Sequence, residues 1–377
     1  MRNDITFMVL GGGQSVGASC YFLKLGDNNI LLDCGIGFSE GVPFAPNIYG
    51  LLESGLVESP NQIGQVYISH AHSDHTGYIH EYATQFKNPI FYMTNLTKMF
   101  TEFQIKKTSQ ELLKYKKLID TDNLMAQRVS CVSYQQEIPF RNYKVSFYEA
   151  GHIPGAMMTL FQYNNRNILY TGDYSLNPTP WTNGCQLPKK NIDILIMCGL
   201  HARHPDYTKS GNGLDKIIQR MYASLRYKKS VYCRIGQLSK GIEIIRRLKI
   251  SRCSEYKIFI DKYINNLVNA MENLGIPILN EKISPFTSKK NFPHILIGTS
   301  QYAPDSSYTI IKDNFALHDD FDETIEFVKR VNPKLAVVVH SPPANFGENI
   351  TIEQPLLKDA DCRTQCIFAE TNEIYNL

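Results

Sequence analysis

Apolar runs that end on an acid or a histidine constrain this chain more than any other feature. Residues 65–69 lead straight into His70-Ala71-His72-Ser73-Asp74-His75, and 29–32 end at Asp33. The run 144–149 passes through Ala150-Gly151 to His152, 167–171 through Gly172 to Asp173, and 335–339 ends at His340. Their Val, Ile, Leu, Tyr and Phe content, with flanking Gly, Asn or Pro, predicts strands. Five strands thus deliver a ligand-type side chain at their carboxyl ends, where sheet proteins of this kind place their sites. Further strands are expected over 6–10, 19–25, 90–94, 158–163 and 192–197. Apolar spacing predicts helices over 79–85, 110–117, 213–226, 240–248, 264–274 and 322–331.

The densest stretch is 70–75. Where a strand ends and the chain curls, His70 and His72 converge on one point, and the following turn directs Asp74 and His75 to a second. Imidazoles with a carboxylate suit Zn²⁺ better than Ca²⁺ or Mg²⁺. A lone histidine is more often structural, but three with an aspartate at this spacing point to metal. Six of the ten histidines fall at such positions once His318 is included, whereas His80, His201, His204 and His294 default to surface or core.

At 377 residues, 43% hydrophobic, the chain supports a large core and about two domains. No apolar run approaches the roughly 20 residues of a membrane helix, and the first ten residues do not read as a secretory signal. The expectation is a soluble cytoplasmic protein, or a nuclear one in a eukaryote, with no membrane partner. The nine cysteines are scattered and odd in number, and Cys362/Cys366 lack a second pair to complete a zinc ribbon, so reduced thiols are expected. Residues 200–312 hold 19 Lys and Arg against 8 Asp and Glu, while the whole chain carries only +3. That segment alternates basic helices with short apolar strands, and 335–339 returns to the style of the first half. An inserted domain with an anionic partner is the expectation.

Four motifs carry a resemblance: Leu32-Asp33-Cys34-Gly35, the 70–75 run, Ala150-Gly151-His152-Ile153-Pro154-Gly155-Ala156 and Thr171-Gly172-Asp173-Tyr174-Ser175. Together they are similar to the metallo-β-lactamase superfamily. With Gly11-Gly12-Gly13-Gln14-Ser15-Val16-Gly17-Ala18-Ser19-Cys20 they look like its β-CASP nucleases, among them the endonuclease of mRNA 3′-end cleavage and polyadenylation and ribonuclease J. The resemblance implies an α/β fold, an αββα metallo-β-lactamase sandwich over 1–198 and 313–377, with a basic β-CASP-like α/β domain inserted over 199–312. It implies one Zn²⁺ on His70, His72 and His152, a second on Asp74, His75 and His340, and Asp173 bridging them, with Mn²⁺ as a substitute. It further implies a metal-bridged hydroxide as nucleophile, Asp33 as the outer acceptor fixing the histidine loop, and His318 as general acid.

The chain departs from that family in two places. Cys198 stands where those nucleases carry an acid that orients the His318-type histidine, leaving Asp206, Asp319 or Asp320 as substitutes, and the insert is short. The expected function is a ribonuclease on single-stranded RNA, gripped through residues 200–312. The alternatives are a metallohydrolase of a small phosphodiester, ester or thioester, and a metal-retaining RNA-binding scaffold without turnover.

Overall fold

The computed structural model describes residues 4–86, 88–112, 128–207, 213–279, 282–288, 290–301, 303–343, 350–359, 362 and 364–377. The chain divides into two compact units: Met1–Pro178, Asn183–Thr208 and His318–Leu377 form the first, and Thr179–Thr182 with Lys209–Leu317 the second.

The first unit holds two seven-stranded sheets. One runs in spatial order Ile374–Asn376, Ile5–Gly11, Cys20–Leu25, Asn28–Leu32, Gln65–Tyr67, Ile90–Thr94, Val129–Val132. The other runs Gln365–Phe368, Leu335–Val339, Ile194–Cys198, Arg166–Tyr170, Met157–Tyr163, Tyr143–Glu149, Glu137–Pro139. In each sheet the pairing changes sense once. Asn28–Leu32 is antiparallel to Cys20–Leu25 but parallel to Gln65–Tyr67. Arg166–Tyr170 is antiparallel to Met157–Tyr163 but parallel to Ile194–Cys198. Asp33 and Asp173 leave these two switch strands at their carboxyl ends, where adjacent loops diverge and leave room for a site.

One buried apolar cluster takes side chains from both sheets, including Phe7, Tyr21, Ile30 and Tyr67 with Phe147, Phe161, Ile168 and Val337. The Tyr67 and Phe161 rings meet edge-on with centroids 5.1 Å apart. A second cluster joins Met8, Phe22, Leu31 and Val66 to Ile79, Tyr82 and Ala83 of helix Ile79–Gln85. Alternation along Ile5–Gly11 and Cys20–Leu25 thus sends side chains to two cores, as a sheet covered on both faces requires.

The strands read from sequence are present with ends shifted by one or two residues, within ordinary boundary uncertainty. The helix expected over 110–117 is covered at its start by Asn95–Leu112, and the remainder lies outside the described residues. The sequence predicts no strand beyond residue 340, yet Gln365–Phe368 and Ile374–Asn376 complete an edge of each large sheet. Both are short and half polar, so they carry little periodicity. Among the described residues no helix is long and apolar enough to cross a membrane.

The second unit has a five-stranded, wholly parallel sheet in the order Ile283–Pro285, Ile258–Ile260, Ile295–Gly298, Val231–Arg234, Thr309–Lys312. Helices Gly213–Arg226, Leu238–Lys249 and Lys262–Asn273 accompany it. Within this unit Thr179–Thr182 is tied to Leu238–Lys249. The Trp181 indole N–H donates to the Ile242 carbonyl at 2.9 Å, and the Arg246 guanidinium lies 4.6 Å from its ring centre. The Thr179 hydroxyl donates to Glu243 Oε1 at 2.8 Å, while Glu243 Oε2 is buried with no hydrogen-bond partner.

Burial pushes the Glu243 carboxyl up to about 7, against the opposing pull of Thr179, Trp181 and Arg246. A folded pKa above the ordinary 4.5 means that the native state holds the extra proton. That contribution to stability is complete below pH 4.5 and is lost as pH rises through about 7. Glu243→Gln, which keeps the neutral shape, is therefore expected to be more stable than the parent above pH 7 by up to about 3 kcal/mol. It should match the parent in acid, as read from Tm against pH for the two proteins. Equal Tm curves across that window would refute the assignment.

Candidate metal centre

The strand Gln65–Tyr67 carries the chain to His70, and His72 then caps the short helix Ser73–Thr76. The His75 and Thr76 amides both donate to the His72 carbonyl, which turns the chain through Asp74 and His75, and the His75 ring packs 4.1 Å from that of His70. His152 follows Tyr143–Glu149, Asp173 follows Arg166–Tyr170, and His340 follows Leu335–Val339.

These side chains meet in two groups suited to hold a metal ion: His70, His72, His152 and Asp173, and Asp74, His75 and His340. His72 Nδ1 lies 3.1 Å from His70 Nε2 and 3.2 Å from His152 Nε2. Asp173 Oδ2 lies 3.7 and 3.8 Å from the Nε2 atoms of His70 and His152. In the second group Asp74 Oδ2 is 3.8 Å from His75 Nε2 and 3.9 Å from His340 Nε2. A tetrahedral ion with bonds of about 2.0–2.1 Å holds its donors roughly 3.4 Å apart. Asp173 links the groups, because its Oδ1 is 3.5 Å from His75 Nε2.

Two atoms test the fit. His75 Nε2 and Asp173 Oδ1 are buried and make no hydrogen bond. Leaving such groups unmatched costs about 1–3 kcal/mol each or more when charged, and a cation between them removes that cost. The electrostatics agree. Burial would lower the His75 pKa, but Asp173, Asp33 and Asp74 together raise it well above the histidine range. Burial would raise Asp173, but His75, His340 and His318 hold it well below the carboxylate range. His70 is lowered by burial and by its histidine neighbours. The centre attracts positive charge through its carboxylates while keeping His70 in the neutral form that binds metal.

Behind the donors lies a layer that fixes each ring. Asp33 is fully buried and accepts from His75 Nδ1 at 2.6 Å, the Ser69 amide at 2.6 Å, the Ser69 hydroxyl at 2.7 Å and the Tyr170 hydroxyl at 2.5 Å. The Ser69 hydroxyl also lies 3.0 Å from His70 Nδ1. Ser19 Oγ lies 3.1 Å from His340 Nδ1, and the His340 amide donates to the Gly12 carbonyl at 2.6 Å. With its outer nitrogen engaged, each of these rings points Nε2 at the centre. Asp33 and His340 both have positive φ, 60° and 52°, a conformation disfavoured by about 1–2 kcal/mol outside glycine. Asp33→Ala is expected to leave four buried donors unmatched, lowering stability by about 3–5 kcal/mol and metal affinity by roughly 10–100-fold. Calorimetric unfolding with a competitive chelator titration checks both, and an unchanged affinity would show that Asp33 does not orient the loop.

The family model described as Anti-Pycsar protein Apyc1 matches residues 5–232. The chain belongs to that family. Probable RNase MJ4 of Methanocaldococcus jannaschii is 30% identical over 312 residues, covering 77% of this chain and 63% of that protein. RNase aCSPSF2 of Saccharolobus solfataricus is 30% identical over 223 residues, covering 56% and 42%. Cleavage and polyadenylation specificity factor subunit 3 of Dictyostelium discoideum is 26% identical over 261 residues, covering 67% and 31%. These relatives are β-CASP nucleases of the metallo-β-lactamase superfamily, the group that the four motifs indicated, and the chain spans less than two thirds of the length of each. A crystal structure of a protein of unknown function from Enterococcus faecalis V583 shares the fold, with a TM-score of 0.67 at 15% identity over 98% of this chain and 99% of that one.

His318 and Cys198 complete the surroundings in this member of the Apyc1 family. His318 Nε2 is 3.7 Å from Asp173 Oδ2, with its ring 4.5 Å from that of His152. Helix Phe321–Val331 brings it there. Asp320 forms a capping box with Glu323, and Phe327 stacks on Tyr174 at 3.9 Å. Asp319 accepts from the Ser175 hydroxyl at 3.0 Å and the Leu176 amide at 2.9 Å. Asp319 and Asp320 thus hold the backbone around His318. Burial and then His152 lower the His318 pKa well below its usual value.

Sequence reasoning passed over Ser19, Ser69 and Tyr170. The signal was present in part, since Ser19 lies inside the Gly-rich motif and Ser69 directly precedes His70. What hides them is distance, for Ser19 and His340 are 321 residues apart.

Proposed function

We propose that this chain is a metal-dependent phosphodiester hydrolase cutting single-stranded RNA. In this reading an αββα metallo-β-lactamase sandwich takes residues 1–198 and 313–377, with the basic domain inserted over 199–312. The observation that carries it is the pair of buried, unmatched atoms, His75 Nε2 and Asp173 Oδ1, facing each other at 3.5 Å between two histidine-rich groups. The two large sheets with a shared core support the sandwich, and the names of the ribonuclease relatives support RNA.

His70, His72 and His152 would hold one Zn²⁺, Asp74, His75 and His340 the second, and Asp173 would face both. Two such cations lower the pKa of water towards neutrality and offset charge on a phosphate. Asp33 keeps the His75 Nδ1 proton and so fixes which nitrogen faces the site. The His318 side chain, 25% exposed, is open to a substrate. An anionic phosphate beside it favours its protonated form, which then passes a proton to the departing oxygen. The excess of lysine and arginine over 200–312 supplies counter-charge for phosphates and predicts affinity that falls steeply with salt. A cytoplasmic or nuclear setting belongs to the same reading.

Purified protein supplied with Zn²⁺ or Mn²⁺ is expected to degrade unstructured RNA. His318→Ala should lower turnover by about 10²–10⁴ without loss of stoichiometric metal. Inertness of the metal-loaded parent towards a broad panel of RNA and DNA would sink the ribonuclease reading. A small phosphodiester as substrate is the second reading, since the matching family model is distinct from the named ribonucleases and its name does not specify RNA. The same panel with generic small phosphodiesters added separates the two.

A further inference from the structure

Cys198 ends the strand Ile194–Cys198, which lies between the strand leading to Asp173 and the strand leading to His340. Its parallel register sets Cys198 against Val339, one residue before His340, and its amide donates to the Thr171 hydroxyl, two residues before Asp173. The side chain is 7% exposed. Its sulfur, a carboxylate oxygen of Asp173 and a ring nitrogen of His318 all lie within 4.8 Å of one another. Among the described residues Cys198 is the cysteine that joins such a donor group.

Sulfur, nitrogen and oxygen donors around one point favour soft or borderline cations such as Zn²⁺ and Co²⁺ over Mg²⁺, Ca²⁺ or Mn²⁺. We propose that Cys198, Asp173 and His318 form an accessory site for a thiophilic divalent cation, whose occupancy ties up the His318 nitrogen and restrains turnover when such a cation is in excess. This rests on the metal-centre reading above, and adds a regulatory cation to it. On binding, the Cys198 S–H bond breaks, its proton passes to solvent, and the sulfur lone pair forms the bond to the cation, with no change of oxidation state. A cation held there engages the nitrogen that would otherwise carry the proton for the departing oxygen.

The test is spectroscopic. Protein loaded with Zn²⁺ to two ions per chain, confirmed by metal analysis, is titrated with Co²⁺ alone. A near-ultraviolet sulfur-to-cobalt charge-transfer band is expected to grow in the parent and to be lost in Cys198→Ser, with Cys198→Ala as a second variant should the first fold poorly. Excess Co²⁺ should also slow phosphodiester hydrolysis by the parent. A zinc-loaded parent that shows no sulfur band at saturating Co²⁺ would overturn the accessory site and leave the metal-centre reading standing. A band that survives in both Cys198 variants would overturn it equally, by assigning the sulfur elsewhere. Protein that retains neither metal would remove both readings.

Discussion

Asp173→Ala is expected to abolish hydrolysis, by roughly three orders of magnitude or more in kcat/KM, and to release divalent metal in the same step. Among the described residues Asp173 reaches donors of both groups. Asp173 Oδ2 lies 3.7 Å from both His70 and His318 and 3.8 Å from His152, while Oδ1 lies 3.5 Å from His75. Removing the carboxylate leaves four imidazoles facing one another in a buried space, where burial and mutual repulsion disfavour a cation. Loss of one of the surrounding histidines should weaken one group, whereas loss of Asp173 should weaken both. Metal content measured alongside turnover checks the claim, and an Asp173→Ala protein that kept its full metal complement would contradict the shared role.

Gly35→Ala should be nearly as damaging although Gly35 offers no ligand. A Cβ built on Gly35 would sit 1.7 Å from the Asp74 carbonyl oxygen and 2.8 Å from the His75 amide nitrogen. The loop leaving Asp33 runs along the Ser73–Thr76 turn, with the Cys34 amide donating to the His75 carbonyl and the Ile36 amide to the Ser73 carbonyl. A methyl group cannot enter without pushing Asp74 and His75 aside. The expected cost is about 3–5 kcal/mol, at the upper end for a single substitution, with loss of metal from the Asp74, His75 and His340 group. Denaturant midpoints and metal content together measure it. A Gly35→Ala protein of native stability and full metal content would mean that the two loops are not packed as described.

His70, His152, Asp173 and His340 were legible because each follows closely where a hydrophobic strand stops, and a strand is visible in sequence as a run of apolar and β-branched residues. The change from run to polar residue is the same signal for Asp33, His152, Asp173 and His340, even though those residues lie far apart. What orients them was hidden. Ser69 and Ser19 are small polar residues with no periodic signature, and their partners, Asp33 and His340, lie 36 and 321 residues away. Tyr170 reads as one more apolar strand residue, and its hydroxyl meets Asp33 only when two sheets share a core. The closing strands Gln365–Phe368 and Ile374–Asn376 were hidden for a different reason, because edge strands this short owe their form to the neighbour they pair with. Cys198 was visible as a departure from the family pattern, but its contact with Asp173 and His318 follows from strand order, which sequence alone leaves open.

The measurement that tests the centre most directly is anomalous X-ray scattering at the zinc edge from crystals of protein grown with Zn²⁺. Two peaks are predicted, one among His70, His72 and His152 and one among Asp74, His75 and His340, with Asp173 reaching both. Absence of anomalous density between these side chains at saturating Zn²⁺, with the protein otherwise folded, would contradict the account.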